Sequence, residues 1–281
     1  MDALMKNHVL FYFSGTGNTW WAARELSREL EDRGLPGDAL SIEAVSLGRA
    51  EKLIAANDLV GFGYPIYSSD LPQPMKDFMA GLPAQQGKPA FVFCTQWLWS
   101  GDGACVGGTF LEKQGFKVCW GEHILMPNNV CISSMRLPYT NDRQKLKPVL
   151  TRAARRIGRF ADRVREGRFF RRGFSAPAVF SGALQRVPFS RVYPRLRDCM
   201  GVEAGRCNGC RFCVELCPAG NLSFQGEKLE TRGSCVLCLR CYCFCPQVAI
   251  TFMNKPHNLK RGLPYRGPVE QFQPWVLLGR R

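Results

Sequence analysis

Val9-Leu10-Phe11-Tyr12-Phe13, followed by Ser14-Gly15-Thr16-Gly17-Asn18-Thr19, decides how the first half of the chain is read. The five apolar residues read as a buried strand. The small, hydroxylated loop after them leads straight into Thr19–Arg33, whose apolar residues recur at helical spacing. Asn18 or Thr19 is placed to cap that helix, and Gly34 with Pro36 ends it. At a strand–loop–helix junction the free backbone N–H groups and the positive end of the helix dipole converge on one spot, which favours a phosphate. The hydroxyls of Ser14, Thr16 and Thr19 add donors. A dinucleotide fold requires a third glycine where Trp20 stands, and a P-loop requires Gly-Lys-Ser or Gly-Lys-Thr. Neither is present, which leaves a seat for a monophosphate.

Outward from this loop, strands are expected at Val9–Phe13, Ala39–Val45, Asp58–Gly63, Pro89–Thr95 and Phe116–Leu125. Helices are expected at Pro72–Gly81, Ala104–Gly115 and Asp142–Glu166, the last with Val149, Ala153, Ile157, Ala161 and Val164 as the stripe facing the sheet. This alternation predicts an α/β fold, a five-stranded parallel sheet with helices on both faces. Two strand-end loops carry aromatic residues: Tyr64-Pro65-Ile66-Tyr67-Ser68-Ser69 and Thr95-Gln96-Trp97-Leu98-Trp99-Ser100-Gly101-Asp102-Gly103. With the phosphate loop they resemble flavodoxins over residues 8–165, and Ser100-Gly101-Asp102 is similar to the second flavin loop of that family. The resemblance implies FMN. Its phosphate would sit on Ser14, Gly15, Thr16, Gly17, Asn18 and Thr19, with its ring held by Tyr64, Pro65, Ile66 and Tyr67 and by Thr95, Gln96, Trp97, Trp99, Gly101 and Asp102.

Fourteen cysteines in a small secreted chain would suggest disulfides, but nine of these lie between Cys207 and Cys245 at intervals of two or three residues, a spacing for metal. Cys207-x2-Cys210-x2-Cys213-x3-Cys217-Pro218 and Cys235-x2-Cys238-x2-Cys241-x3-Cys245-Pro246 repeat at an offset of 28 residues. Three thiolates at x2 spacing curl around three corners of an iron–sulfur cubane, and the fourth points to a neighbouring cluster. Cys207, Cys210, Cys213 and Cys245 are therefore expected to hold one [4Fe-4S] cluster, and Cys217, Cys235, Cys238 and Cys241 the other. A zinc ribbon needs four ligands and explains neither the third x2 interval nor the proline. The two signatures resemble bacterial-type two-cluster ferredoxins, which implies low-potential, one-electron transfer and a small α+β unit. Cys243 is surplus to the pattern, and backbone donors near Asn221 are placed to tune a cluster.

The expected organisation is a flavodoxin-like unit over 1–167, a basic aromatic linker over 168–200, a ferredoxin-like unit over 201–254, and a tail over 255–281 ordered by contact with the rest. From Arg136 to Met200 there are 17 Lys and Arg against 4 Asp and Glu, so +13 of the net +15 is concentrated there. Such a block suits an acidic redox partner, a multi-subunit complex, or an anionic membrane surface touched through 168–197. The plain alternative is a solvated helix face and a linker whose phenylalanines cover a domain seam. No recognisable nucleic-acid fold surrounds it, so nucleic acid is not an expected partner. His8, His123 and His257 are too scattered to suggest an acid–base or metal constellation, and no second nucleotide site is evident. No apolar run is long enough for a signal peptide or a membrane span, so a cytoplasmic location is expected. The expected function is electron relay between FMN and two [4Fe-4S] clusters to or from a partner redox protein. The alternatives are a relay subunit of a larger oxidoreductase complex or a flavin-dependent enzyme for a small molecule.

Overall fold

His8–Tyr12 (β1) is buried along its whole length, as a strand covered on both faces must be. The computed structural model describes residues 5–226 and 228–280; residues 1–4, 227 and 281, at the edges of the expected first unit and tail and inside the second unit, lie outside the described residues. After β1 come α1 (Asn18–Glu31), β2 (Gly37–Ser41), α2 (Leu47–Ala56), β3 (Leu59–Pro65), α3 (Gln73–Ala80) and β4 (Pro89–Gln96). Then follow α4 (Gly103–Lys113), β5 (Lys117–Leu125), α5 (Arg143–Arg165), β6 (Phe170–Arg171) and α6 (Ala176–Leu196). The strands lie in the order β2-β1-β3-β4-β5-β6, every pair parallel. This is an α/β sheet flanked by helices and consistent with a flavodoxin-like fold. The connection reverses direction across the sheet at β1 and β3, which opens a crevice at the carboxyl ends of those strands.

Three expectations are corrected. The sheet has six strands, because Phe170 and Arg171 pair with Trp120 and Gly121 on the outer edge of β5; two residues are too short a run to show a strand period. The first helix is not capped by Asn18 or Thr19. It begins at Asn18, and Gly17 holds the cap position in the left-handed region, φ 97°, without a side-chain cap bond. Residues 168–200 are not irregular: α6 runs for 21 residues through Pro188 and Pro194. Each proline removes one helix N–H, so Pro188 and Pro194 disguise the helix in the sequence. Helix α2, begun by Ser46 accepting from Arg49 N, was also not foreseen.

Beyond α6 lie β7 (Met200–Val202), α7 (Phe212–Glu215), β8 (Leu222–Gln225), β9 (Lys228–Thr231), α8 (Arg240–Phe244) and β10 (Ile250–Phe252). β7 pairs with β10 and β8 with β9, both antiparallel. This unit does not keep a core to itself. Leu216, Tyr242 and Phe244 belong to the same buried cluster as Leu10, Ala23 and Phe160 beneath α1 and α5. The tail joins it too, with Phe272 packed on Trp20 and Phe244 at ring centroid distances of 5.0 and 5.7 Å.

Candidate functional site

The loop after β1 is fixed from behind by Arg240, the first residue of α8. This guanidinium is fully buried. It donates to the carbonyls of Ser14 (2.7 Å), Gly15 (3.3 Å) and Leu216 (3.0 Å), and it pairs with Glu43 through two bonds of 2.6 and 2.8 Å. In a trans peptide the N–H points opposite to the C=O. Carbonyls turned toward Arg240 therefore turn the N–H groups of Gly15 and Thr16, both of which line the crevice, away from that guanidinium. The loop side chains are held as well: Thr19 Oγ1 lies 2.7 Å from Thr95 Oγ1, Asn129 Nδ2 donates to Thr16 Oγ1 (2.8 Å), and Tyr265 donates to Asn18 Oδ1 (2.7 Å).

This loop, Pro65-Ile66-Tyr67, Thr95-Gln96-Trp97, the segment Met126–Val130, and Leu237 with Leu239 surround a cavity of about 130 Å³. That volume suits the phosphate end of FMN and is below the roughly 300 Å³ at the small end of whole-ligand pockets. One observation tests the fit directly. The Tyr67 hydroxyl is buried with no hydrogen-bond partner among the described residues, and a Cβ added to Gly15 would stand 2.7 Å from it. Burial pushes its pKa well above that of free tyrosine, so it stays a proton donor. An orphaned donor beside the loop N–H groups is what an anionic phosphate satisfies, and the residues fit that group.

Five of the residues expected at the flavin lie off this cavity. Gly17 faces Phe272, whose ring a Cβ would meet at 2.9 Å. Tyr64 is buried under the sheet and donates to the Gly103 carbonyl at 3.0 Å. Trp99 stands exposed on the surface, Gly101 backs onto α6, and Asp102 is paired with Arg186 of α6 by two bonds of 3.0 Å. The loop after β4 is thus tied to α6, which a reading of 168–200 as linker did not allow for. Sequence reasoning missed Met126–Val130, Leu237, Leu239 and Arg240. The position of 126–130 just past the carboxyl end of β5 is a usable signal, because ligands of open α/β sheets sit there.

The eight signature cysteines fall into two neighbourhoods. Cys213 lies near Cys245, Cys210 and Cys207, and burial foremost, then these neighbours, pushes its thiol up to about 12. Cys235, Cys238 and Cys241 gather around Cys217, and burial pushes the first two up to about 11 and about 12. Cys217, Cys235, Cys238 and Cys241 line one small cavity of about 20 Å³ together with Asn221. Among the described residues no three His, Cys, Asp or Glu side chains converge as a single ion requires. Cubane ligands do not need to converge, since each thiolate binds a different iron.

The backbone repeats with the cysteines. Gly209 and Leu237, Arg211 and Leu239, and Gly220 and Val248 are all left-handed, each pair 28 residues apart. Left-handed residues between thiols turn successive N–H groups to one side, making a concavity for negative charge. Asn221 N donates to Cys217 Sγ at 3.2 Å, and its counterpart Ala249 N donates to Cys245 Sγ at 3.3 Å. The Asn221 Nδ2 group is buried without a partner among the described residues, beside that small cavity. Buried donors aimed at thiolates fit an anionic cluster. Cys243 is not in either group; its sulfur lies 3.7 Å from that of Cys131.

No protein-family model and no curated protein matches the chain. Among solved structures it is similar to a flavodoxin from the domain Archaea, 18% identical over 56% of this chain and 98% of that one, TM-score 0.39. It is also similar to the Streptococcus pneumonia TIGR4 flavodoxin, 17% identical over 57% and 98%, TM-score 0.40. A third is a flavodiiron core from Synechocystis sp. PCC6803, 18% identical over 59% and 37%, TM-score 0.42. With TM-scores below 0.5, none of the three bears on the site. No helix among the described residues is long and apolar enough to cross a membrane.

Proposed function

We propose that this chain is an electron-transfer protein that holds FMN on the Ser14–Thr19 loop and two [4Fe-4S] clusters on the cysteine repeat, and passes electrons between them and a partner redox protein. The observation that carries the reading is the adjacency of the two candidate sites. A Cβ on Gly15 would stand 2.7 Å from the Cys238 carbonyl, and Leu237 and Leu239, which flank Cys238, line the phosphate-loop cavity. Bound there, a flavin would supply two-electron or one-electron exchange and each cluster one-electron exchange, which would join two-electron to one-electron chemistry.

The chain's own residues do the rest. Arg240 holds the loop carbonyls and the second cysteine run in one register. The N–H groups of Gly15 and Thr16 and the Tyr67 hydroxyl receive the phosphate. Cys207, Cys210, Cys213 and Cys245 ligate one cluster and Cys217, Cys235, Cys238 and Cys241 the other, with Asn221 and Ala249 donating to thiolates. Leu237, Leu239 and Val236 keep water from the space between.

Anaerobic purification followed by iron, sulfide and flavin analysis tests this composition. The reading expects about eight irons and about eight sulfides per chain with about one FMN. Colourless protein carrying zinc would remove it. A second arrangement, a relay subunit inside a larger oxidoreductase complex, is favoured by α6, which exposes Phe180, Leu184 and Val187 beside Arg191 and Arg195 with no acidic residue in the helix. Co-purification with an acidic partner at fixed stoichiometry supports that arrangement. Binding of the purified protein to anionic vesicles in preference to protein would instead assign 168–197 to a membrane surface.

A further inference from the structure

A second, larger cavity adjoins the phosphate-loop pocket. It is a groove of about 740 Å³ between α5 and the segment after β5, well inside the roughly 300–1,000 Å³ of small-molecule sites. Its floor is apolar, with the buried Met126, Pro127 and Leu146, and its rim, where Leu125 is exposed, is cationic. Arg152, Arg155, Arg156 and Arg159 occupy one face of α5 at i, i+3, i+4 and i+7, a row about 10 Å long. No carboxylate lines the groove. Arg156 is taken up by buried Glu122 at 3.0 Å, whereas Arg152, Arg155 and Arg159 have no acidic partner among the described residues.

The wall toward the phosphate loop is already set. Met126 N donates to the Gln96 carbonyl (2.8 Å), Asn18 Nδ2 to the Pro127 carbonyl (2.8 Å) and Asn128 Nδ2 to the Pro138 carbonyl (2.6 Å). Trp97, Met126, Pro127 and Asn128 line both cavities. A concave groove lined by one sign of charge concentrates anions, and guanidinium rows take phosphate or carboxylate through paired N–H donors. The apolar floor is wasted on an inorganic ion, and a flat acidic protein face does not fill a concavity.

We infer that this groove binds a small organic anion, an aromatic or apolar body bearing phosphate or carboxylate groups, and that this molecule is the small-molecule reductant of the adjoining flavin, oxidised by two electrons and one proton as the flavin takes them up. The redox half of the inference rests on the flavin reading; the binding half does not. The test uses full-length protein carrying its cofactors, with flavin content read from the absorbance spectrum before each titration. The probe is 8-anilinonaphthalene-1-sulfonate, an aromatic anion followed by fluorescence. One saturable site is expected, weakened at least tenfold when Arg152→Gln and Arg155→Gln are combined and unchanged by Arg49→Gln on α2. Displacement of the probe by NADPH assigns a phosphate-bearing partner, and displacement by phthalate a carboxylate-bearing one. The inference is overturned if the double variant binds the probe normally, if uncharged N-phenyl-1-naphthylamine binds as tightly, or if neither anion displaces the probe. It is also overturned if the double variant loses its flavin, because the groove would then belong to the flavin itself. Flavin-free wild-type protein that still binds the probe keeps the binding half and ends the redox half.

Discussion

Arg240 joins the two candidate sites through five hydrogen bonds, and its burial makes it costly to disturb. Removing one member of a buried ion pair leaves the other charge uncompensated, typically 3–5 kcal/mol. Arg240→Met is therefore expected to destabilise the chain by roughly that amount in urea unfolding and to weaken FMN binding at least tenfold. Adding Glu43→Gln restores part of the stability and none of the flavin affinity, since the Ser14 and Gly15 carbonyls still lack their donor. None of this was legible in the sequence, where Arg240 is one of 38 basic residues and Glu43 stands 197 positions away. His123 gives a pH-dependent counterpart. Ala104 N donates to its Nε2 at 3.1 Å, and burial first, with Arg172 and Arg156 beside it, lowers its pKa to about 4. The unfolded chain takes up a proton near pH 6.5, the folded chain only near 4, so this contribution is complete above 6.5 and drains away as pH falls toward 4. His123→Gln should flatten that acid limb in unfolding measurements between pH 7 and 4, by roughly 3 kcal/mol at most.

At the scale of elements, every strand and all helices but α2 over residues 8–165 were readable from hydrophobic period together with Gly and Pro stops. Every expected strand appears within four residues of its predicted bounds, from His8–Tyr12 to Lys117–Leu125. Helix α6 was not readable, for a physical reason: it has no apolar stripe to bury. Gly182 is its only buried residue, while Phe180 and Leu184 face outward, each more than 60% exposed. What anchors α6 is polar and specific. Arg186 pairs with Asp102, Tyr193 donates to the Cys235 carbonyl at 3.0 Å, and Gly182 lies so close to Asp102 that an added Cβ would overlap its carboxylate. Gly182→Val is expected to lift α6 off the loop after β4 and raise backbone amide exchange across 176–196 by an order of magnitude or more, with the sheet unchanged. Unaltered exchange in α6 would mean that its anchoring lies elsewhere. The cysteine loops were readable in part. Gly209 and Gly220 mark left-handed positions in the first copy, but Leu237 and Val248 stand at the same turns in the second, where the residue type gives no sign of them.

For the molecule as a whole, the expected division at residue 200 describes the chain's order and not its packing. The cysteine unit, the tail and the α1–α5 side of the sheet share one buried cluster, and Arg240 ties the cysteine unit to the loop after β1. Stripping iron with an anaerobic chelator should therefore lower the thermal midpoint of the entire chain in one transition, and not leave a flavin-binding unit melting as before. Two separate transitions would contradict the shared core. The most direct test of the account is anaerobic stopped-flow reduction of the intact protein, with flavin and iron–sulfur absorbance followed together as a one-electron reductant is added. The account predicts that the two signals share electrons within a single mixing experiment and that Arg240→Met slows this exchange. Clusters that fill while the flavin stays oxidised for the life of the sample would contradict it.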